Sequence, residues 1–133
     1  MLDHQTKENT MNDNELWNII EVARSASVES GDFIEEMKNE LRKMDVVDIV
    51  AFNNFVESRI VDLYRWDIWG IAYIVNGGCS DDGFEYFRRW VITQGKQFYT
   101  KLKESPDSVF TDAEVTECEC EDLTYAIDEV YKS

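Results

Sequence analysis

The chain has 133 residues, of which 44% are hydrophobic and 13% aromatic, enough to build one domain around one core. One proline and six glycines are too few turn residues for a many-stranded sandwich or barrel, so the composition favours helices. The formal net charge of −15 disfavours nucleic acid and anionic membrane surfaces as partners and favours a basic protein.

The N-terminal residues 1–12 are polar and aperiodic, and we expect a mobile tail followed by a single helical domain over residues 13–133. The start has neither the basic region nor the apolar run of a signal peptide. No stretch approaches the roughly 20 apolar residues of a membrane span. Three cysteines form no disulfide framework, so we expect a cytoplasmic protein.

Three amphipathic helices are predicted in the first half of the chain. Asn14 is the expected N-cap of the first, which should fade at residues 25–27. The second should begin at Ser30 or Asp32, and Asp45 should cap the third. Their apolar positions recur at helical spacing. These are Leu16, Trp17, Ile20 and Ala23, then Phe33, Ile34, Met37, Leu41 and Met44, then Val46, Ile49, Val50, Phe52, Val56, Ile60 and Leu63.

Residues 66–76 (WDIWGIAYIVN) are apolar almost all round, which predicts a short, buried, central helix. Asn76 and the two glycines after it are a helix stop, since glycine suits the left-handed conformation at a helix end. Trp66, Trp69 and Tyr73 have a spacing typical of core. A partly exposed tryptophan at a helix end would instead serve as an interface anchor.

The second half predicts two central helices, an acidic segment and a last helix. The first should run from about Ser80 or Asp82 to Gln94, and the next should end before Pro106, because a residue preceding proline resists the helical conformation. Residues 107–122 are acidic, and a helix over residues 123–131 follows. The fold class is therefore all-α, a compact bundle of about six or seven helices.

Residues 77–90 (GGCSDDGFEYFRRW) resemble a catalytic loop at first sight. A nucleophilic Cys79 or Ser80 needs a nearby base, and the one histidine, His4, lies in the expected tail. Asp81 and Asp82 are candidates for acid–base chemistry or a divalent metal, but no helical ligand pattern supports them. We therefore favour a structural role for this segment and keep an enzymatic or ligand-binding role as the alternative.

The structural interpretation is a helix start followed by core. Asp82 and Glu85 fit a capping box, with Ser80 as the alternative cap. Phe84, Phe87, Trp90 and Val91 then form a buried stripe.

The adjacent arginines, Arg88 and Arg89, point about 100° apart around a helix. We expect Arg88 to border the apolar stripe and to be held by a carboxylate, with Asp62, Asp67 and Asp81 as candidates. An arginine fork that recognises an anion is the alternative.

Cys118 and Cys120 flank a glutamate in the acidic segment. A structural zinc site needs four ligands, and adding Cys79 gives only three thiols, so we expect no metal and no cofactor. The acids also lack calcium-loop spacing. A solvated loop is the simplest interpretation, with a partner surface as the alternative, formed by Glu114, Glu117, Glu119 and Glu121.

Several segments together resemble a bacterial family known as domain of unknown function 4240. They are LWNIIE at 16–21, DIWGIAY at 67–73, GGCSDDGFEYFR at 77–88, WVITQG at 90–95, SPDS at 105–108 and LTYA at 123–126. The likeness covers about residues 14–131. It implies a helical bacterial cytosolic protein with no established reaction. The family's characteristic positions are Ser80, Asp81, Asp82, Arg88 and Trp90, all retained here, while Val91 stands in place of the usual leucine.

Two functional hypotheses follow. The first is a small acidic binding or regulatory module, of immunity-like kind, that engages a basic protein through the acidic segment. The second is an enzyme or a small-ligand or metal-binding protein centred on Asp81, Asp82 and Arg88. Mimicry of nucleic acid by the acidic face is a third, more generic one.

Overall fold

The computed structural model describes residues 11–109 and 120–133. Within these ranges 81% of the residues are helical and no strand is found, which confirms the all-α class. The helices are α1 (Asp13–Ser30), α2 (Phe33–Arg42), α3 (Val46–Asp62), α4 (Trp66–Val75), α5 (Asp81–Thr93), α6 (Lys96–Glu104), α7 (Pro106–Val109) and α8 (Asp122–Lys132). None of the helices in the described part is long and apolar enough to cross a membrane.

The chain divides into two compact units. The first contains Met1–Phe55 and Thr124–Ser133, and the second contains Val56–Leu123. Helices α3 and α8 each begin in one unit and end in the other. The single domain over residues 13–133 stays a prediction, as does the mobile tail, of which residues 1–10 lie outside the described part.

In the first unit, side-chain caps define the starts of the helices. Asn12, rather than the predicted Asn14, is the N-cap of α1, because its side chain and that of Glu15 form a reciprocal capping box. The helix runs through the serines at which it was expected to fade and ends at Gly31 (φ 73°). Asp32 caps α2 and Asp45 accepts from the Asp48 amide, so both of these predicted caps are confirmed.

The core of the first unit comes largely from the predicted apolar stripes, with Ile19 and Phe55 in addition. Helices α1 and α2 pack against each other, and the Trp17 ring meets Phe55 edge to face at 5.0 Å between centroids. The described residues buried in this unit are Leu16, Trp17, Ile19, Ile20, Ala23, Met37, Leu41, Ile49, Phe52, Phe55, Ala126, Ile127 and Val130. Val46 and Val50, predicted as core, are exposed instead.

In the second unit, α4 departs from its prediction. Only Ile68 and Ala72 of this helix are buried, so the expected burial all round is wrong. Its end was predicted correctly: Gly77 adopts φ 71°, and the Gly78 amide donates to the Tyr73 carbonyl at 2.7 Å.

Among the described residues of the second unit, helices α5 and α6 carry half of the buried hydrophobic side chains. Phe84, Phe87 and Val91 are fully buried, as predicted, and Trp90 is half-buried. Helix α6 ends at Glu104, before Pro106, also as predicted. Pro106 then opens the short helix α7, which was not predicted and which uses proline at a first helical position, where no amide donor is needed.

Candidate functional site

The start of α5 holds three of the five candidate site residues. Ser80 is its N-cap, and the Ser80 hydroxyl accepts a hydrogen bond from the Gly83 amide at 3.1 Å. Asp81 and Asp82 occupy the exposed first turn, where negative charge is favoured by the helix dipole. The preferred capping box of Asp82 with Glu85 is therefore wrong, because Ser80 takes the cap and Glu85 binds Arg89 instead.

Arg88 is buried, with 7% of its surface exposed. Its Nη1 donates to the Ile60 carbonyl at 3.0 Å and its Nε to the Phe84 carbonyl at 3.3 Å. The guanidinium carbon lies 4.7 Å from the Tyr64 ring centre and 4.6 Å from that of Phe84. Backbone carbonyls and aromatic faces thus hold this cation, and the predicted carboxylate partner is wrong.

Burial governs the electrostatics of Arg88. Desolvation lowers the pKa of the guanidinium from its ordinary value, while the nearby charge of Glu85 acts in the opposite direction. Arginine is effectively always protonated in proteins, so this side chain remains a cation. A permanent cation is therefore kept inside the second unit by dipoles and ring faces.

Arg89 is the member of the pair that binds carboxylates. Its Nη1 lies 3.1 Å from the Glu57 carboxylate and its Nη2 lies 2.8 Å from that of Glu85. The arginine side chain is buried, while both glutamates are half-exposed. This bridge joins α3 to α5. The expected internal ion pair is therefore present, but Arg89 forms it and Arg88 does not.

One side of α4 exposes large apolar residues, with the exposed Asp67 at its edge. Trp66 is 85% exposed, Ile74 76% and Tyr73 60%. With about 100° between successive residues, these three and Gly70 share one side of the helix. We call Trp66, Gly70, Tyr73 and Ile74 the α4 face. Exposed apolar residues that are contiguous in this way mark interaction surfaces in soluble proteins.

Trp66 is held in place by a stack of rings. Its ring lies 5.6 Å from that of Trp69, and Trp69 lies 4.7 Å from Phe84, both pairs nearly parallel. The Trp69 indole N–H donates to the Cys79 carbonyl at 3.0 Å, which fixes the ring below. An exposed tryptophan on such a support loses little conformational freedom when a partner covers it.

Gly70 lies in the middle of the α4 face. A Cβ atom at this position would meet no atom within 4 Å, and the backbone there is helical. Glycine inside a helix costs about 0.5–1 kcal/mol relative to alanine. No close packing of the described residues requires this glycine, so the face keeps a flat surface between its aromatic residues at a cost in stability.

The family model described as a protein of unknown function (DUF4240) matches residues 11–133. The chain belongs to the DUF4240 family. This confirms the resemblance inferred from the sequence segments. The searches of curated proteins and of solved structures gave no match.

In this DUF4240 chain the five candidate residues do not converge on one site. Ser80 caps a helix, Arg88 faces backbone carbonyls, and Trp90 packs between Phe87 at 6.0 Å and Phe98 at 5.4 Å. Within the described residues, no hydrogen bond or ion pair joins Arg88 to Asp81 or Asp82. The structure uses Ser80, Arg88 and Trp90 for the scaffold, and a ligand-binding role for the cluster stays a prediction.

The predicted acidic partner surface of this DUF4240 chain falls mainly on Glu114, Glu117 and Glu119, which lie outside the described residues, as does Cys118. Glu121 is described and exposed. Cys120 is partly buried and its amide donates to the Tyr86 carbonyl at 3.0 Å. Burial raises the pKa of the Cys120 thiol above its ordinary value. Among the described residues, no three acidic, cysteine or histidine side chains lie close enough to share a metal ion.

The α4 face of this DUF4240 chain is the feature that the sequence interpretation missed. A signal was present, since Gly70 interrupts an apolar helix in which alanine would be the better helix former. The alternative role for Trp66, an exposed anchor at a helix end, agrees with its observed exposure.

Proposed function

We propose that this chain is a binding module that binds a basic protein through the α4 face. The observation that carries the proposal is the set of exposed apolar residues on α4, with Trp66 at 85% exposure. Tryptophan and tyrosine are enriched among the residues that dominate binding energy at protein interfaces. The stack beneath Trp66 supplies a preorganised anchor, which lowers the entropic cost of association.

Charge selects the kind of partner. The chain carries 28 acidic and 13 basic residues, so its field attracts a basic surface and repels an acidic one. In this proposal the acidic residues raise the rate of encounter, and Glu114, Glu117, Glu119 and Glu121 contribute to that steering. The apolar α4 face then slows dissociation. The module acts in the bacterial cytoplasm, as the family resemblance and the sequence favour.

The alternative function, an enzyme or ligand-binding protein centred on Asp81, Asp82 and Arg88, receives less support from the geometry. The Arg88 guanidinium is already bonded to two carbonyls and covered by two rings. Asp81 and Asp82 are exposed on the first turn of α5. A binding module therefore accounts for more of the structure than a catalytic site does.

The test starts with capture of partners from a bacterial lysate on the immobilised full chain, followed by purification of the captured protein. Binding of that protein is then measured for wild type, Trp66→Ser and Ile74→Asp. We expect each variant to weaken binding by about tenfold or more, mainly through faster dissociation. Val28→Asp is the matched control, because Val28 is 84% exposed and belongs to α1 of the first unit, not to α4.

The salt dependence of binding distinguishes electrostatic attraction from apolar anchoring on the α4 face, which are the two parts of the proposal. Non-specific capture of basic proteins by an acidic chain should disappear at about 0.3 M salt, where exposed charges are screened. A partner anchored on the α4 face should remain bound, with a slower association rate. Charge reversal of Glu114, Glu117, Glu119 and Glu121 should lower the association rate only. If Trp66→Ser and Ile74→Asp bind the partner as tightly as wild type and Val28→Asp do, the proposal is wrong.

A further inference from the structure

The outer face of the Trp66 ring is the open end of an aromatic stack. This ring lies nearly parallel to that of Trp69, at 12° and 5.6 Å between centroids, and Trp69 in turn is stacked on Phe84. Among the described residues Trp66 has no other ring contact, and it is 85% exposed. A Cβ atom at Gly70, about one turn further along α4, would meet no atom within 4 Å. The stack therefore ends in a flat, supported ring face that a partner can reach.

The buried end of the same stack already binds a guanidinium. The Arg88 guanidinium carbon lies 4.6 Å from the centre of the Phe84 ring and 4.7 Å from that of Tyr64. The Tyr64 ring also meets Trp69 edge to face, at 5.9 Å between centroids. This group of rings thus holds one planar cation inside the second unit by cation–π contacts.

The chemistry of an aromatic face selects a cation over an anion. The face of an aromatic ring carries the negative part of its quadrupole, and tryptophan binds cations more strongly than tyrosine or phenylalanine does. Arginine has a planar, weakly hydrated guanidinium that stacks on rings, whereas the lysine ammonium is compact and strongly hydrated. The outer face of Trp66 is therefore better suited to an arginine than to a lysine or an acidic side chain.

The cations on the N-terminal side of α4 are paired with carboxylates. Arg65, the residue before Trp66, donates from Nε and Nη2 to the two carboxylate oxygens of Asp67 at 3.1 and 2.7 Å. Its Nη1 donates to the Lys103 carbonyl at 3.1 Å, and the Lys103 ammonium lies 3.9 Å from the Asp62 carboxylate. The repulsion that these two cations exert on a guanidinium at the ring is therefore largely compensated.

The loop that leads into α5 places negative charge beside the stack. The Trp69 indole N–H donates to the Cys79 carbonyl at 3.0 Å, which holds the stack against this loop. Asp81 and Asp82 follow in the first turn of α5, and both are exposed. No cation among the described residues forms an ion pair with either carboxylate, so their charge is available to attract a basic group that approaches the stack.

We propose that the partner bound through the α4 face presents an arginine whose guanidinium stacks on the outer face of Trp66, with Asp81 and Asp82 adding electrostatic attraction. This inference rests on the proposed function and adds the identity of the anchoring side chain. It also gives the two exposed acids at the start of α5 a role in binding that needs no catalytic chemistry.

The test uses three synthetic peptides, acetyl-Gly-X-Gly-X-Gly-amide, in which X is arginine, lysine or citrulline. The readout is the indole N–H resonances of the full chain, with that of Trp66 assigned from its loss in Trp66→Phe. We expect a saturable shift of the Trp66 resonance at millimolar arginine peptide and about threefold weaker binding of the lysine peptide. Citrulline keeps the shape of arginine without its charge, so its peptide should bind about tenfold more weakly. Equal binding of the citrulline peptide, or an unshifted Trp66 resonance, would overturn the inference.

Substitution of the ring tests the cation–π contact. Trp66→Leu keeps an apolar side chain and removes the ring face, so it should weaken binding of the arginine peptide by about fivefold, whereas Trp66→Phe should retain part of the affinity. These affinities are read from the backbone amide shifts of α4. Tyr131→Leu removes a half-exposed ring of the first unit and is the control, which should bind as wild type does. A Trp66→Leu chain with wild-type affinity contradicts stacking on the ring.

Neutralisation of the two acids tests the electrostatic part. Asp81→Asn combined with Asp82→Asn should weaken binding of the arginine peptide by about threefold at low salt and reduce its salt dependence. Glu35→Gln combined with Glu36→Gln is the matched control, because it removes two acids from the first turn of α2 in the first unit. If both double variants change the affinity equally, Asp81 and Asp82 have no specific role and this part of the inference is wrong.

The inference and the proposed function can fail separately. A captured partner that needs Trp66 and Ile74 but tolerates replacement of each of its arginines by glutamine leaves the α4 face as the binding surface and overturns the arginine anchor. A partner whose affinity is unchanged by Trp66→Ser and Ile74→Asp overturns the proposed function, while binding of the arginine peptide at Trp66 still supports the site.

Discussion

Arg88 donates from its Nη1 to the carbonyl oxygen of Ile60 at 3.0 Å, which ties the middle of α5 to the last turn of α3. A charged donor of this kind normally pairs with a carboxylate when it is buried. Here two backbone carbonyls and two aromatic ring faces replace the carboxylate, so the arginine acts as a rigid connector within the second unit.

Replacing Arg88 should therefore cost stability. Arg88→Met keeps an unbranched apolar side chain but loses both hydrogen bonds and the contacts with the Tyr64 and Phe84 rings, and we expect a loss of about 2–4 kcal/mol in the free energy of unfolding. Urea unfolding measures this. Asp81→Asn, an exposed change on the same helix, should stay within about 0.5 kcal/mol of wild type. An Arg88→Met protein of unchanged stability would contradict the connector role.

The assignment of the α5 cap can be tested by a pair of substitutions. Ser80→Ala removes the hydroxyl that accepts from the Gly83 amide and should cost about 1 kcal/mol. Asp82→Asn should have a much smaller effect, because Asp82 is in the first turn and not at the cap. Thermal or urea unfolding of both variants checks this, and the reverse order of effects would restore Asp82 as the cap.

Gly70→Ala and Gly77→Ala should change stability in opposite directions. A new Cβ atom meets no atom within 4 Å at either position, so neither substitution creates a steric clash and the two differ in backbone conformation. Gly70 is helical, and alanine there should add about 0.5–1 kcal/mol. Gly77 has φ 71°, and alanine there should cost about 1–2 kcal/mol. Melting temperatures check both signs, and if Gly70→Ala is destabilising, this glycine has a structural role in the fold.

Under the proposed function, the same Gly70→Ala protein should bind its partner less tightly although it is more stable. The added methyl group would protrude from the flat part of the α4 face and hinder close contact with the partner. A variant that gains stability and loses affinity separates binding from folding more cleanly than a destabilising one. Unchanged affinity would place the partner elsewhere on the face.

Alkylation of Cys120 should report its raised pKa. The thiolate is the reactive form, and burial keeps the thiol protonated above its usual titration range near about 8.5. In a Cys118→Ser background, iodoacetamide should therefore modify Cys120 more slowly in the folded chain than in urea at pH 8. The folded rate should keep rising with pH after the rate in urea has levelled off. Equal pH profiles in the two conditions would contradict the burial effect.

Local signals in the sequence predicted the helices well. Caps such as Asp32 and Asp45, and stops such as Gly77, act through backbone groups a few residues away, so the sequence alone places them. The cap of α1 was misplaced by two residues because Asn12 and Asn14 offer the same chemistry, and only Asn12 is spaced to pair with Glu15.

Relationships between helices were harder to predict. Periodicity identifies apolar residues but not whether a neighbouring helix covers them, so Trp66 and Ile74 were assigned to the core. The same limit applies to the arginine pair. Adjacent residues point in different directions, and which of Arg88 and Arg89 meets a carboxylate depends on where Glu57 lies in the fold.

The stack of Trp66 on Trp69 also gives the chain an optical property. An indole that is 85% exposed emits from an aqueous environment, whereas Trp17 emits from a buried one. A partner that covers Trp66 would shift its emission towards shorter wavelength, and any change in the stacking would alter the circular dichroism of the coupled indoles. The surface proposed for binding thus carries its own spectroscopic reporter, and docking can be followed without a label.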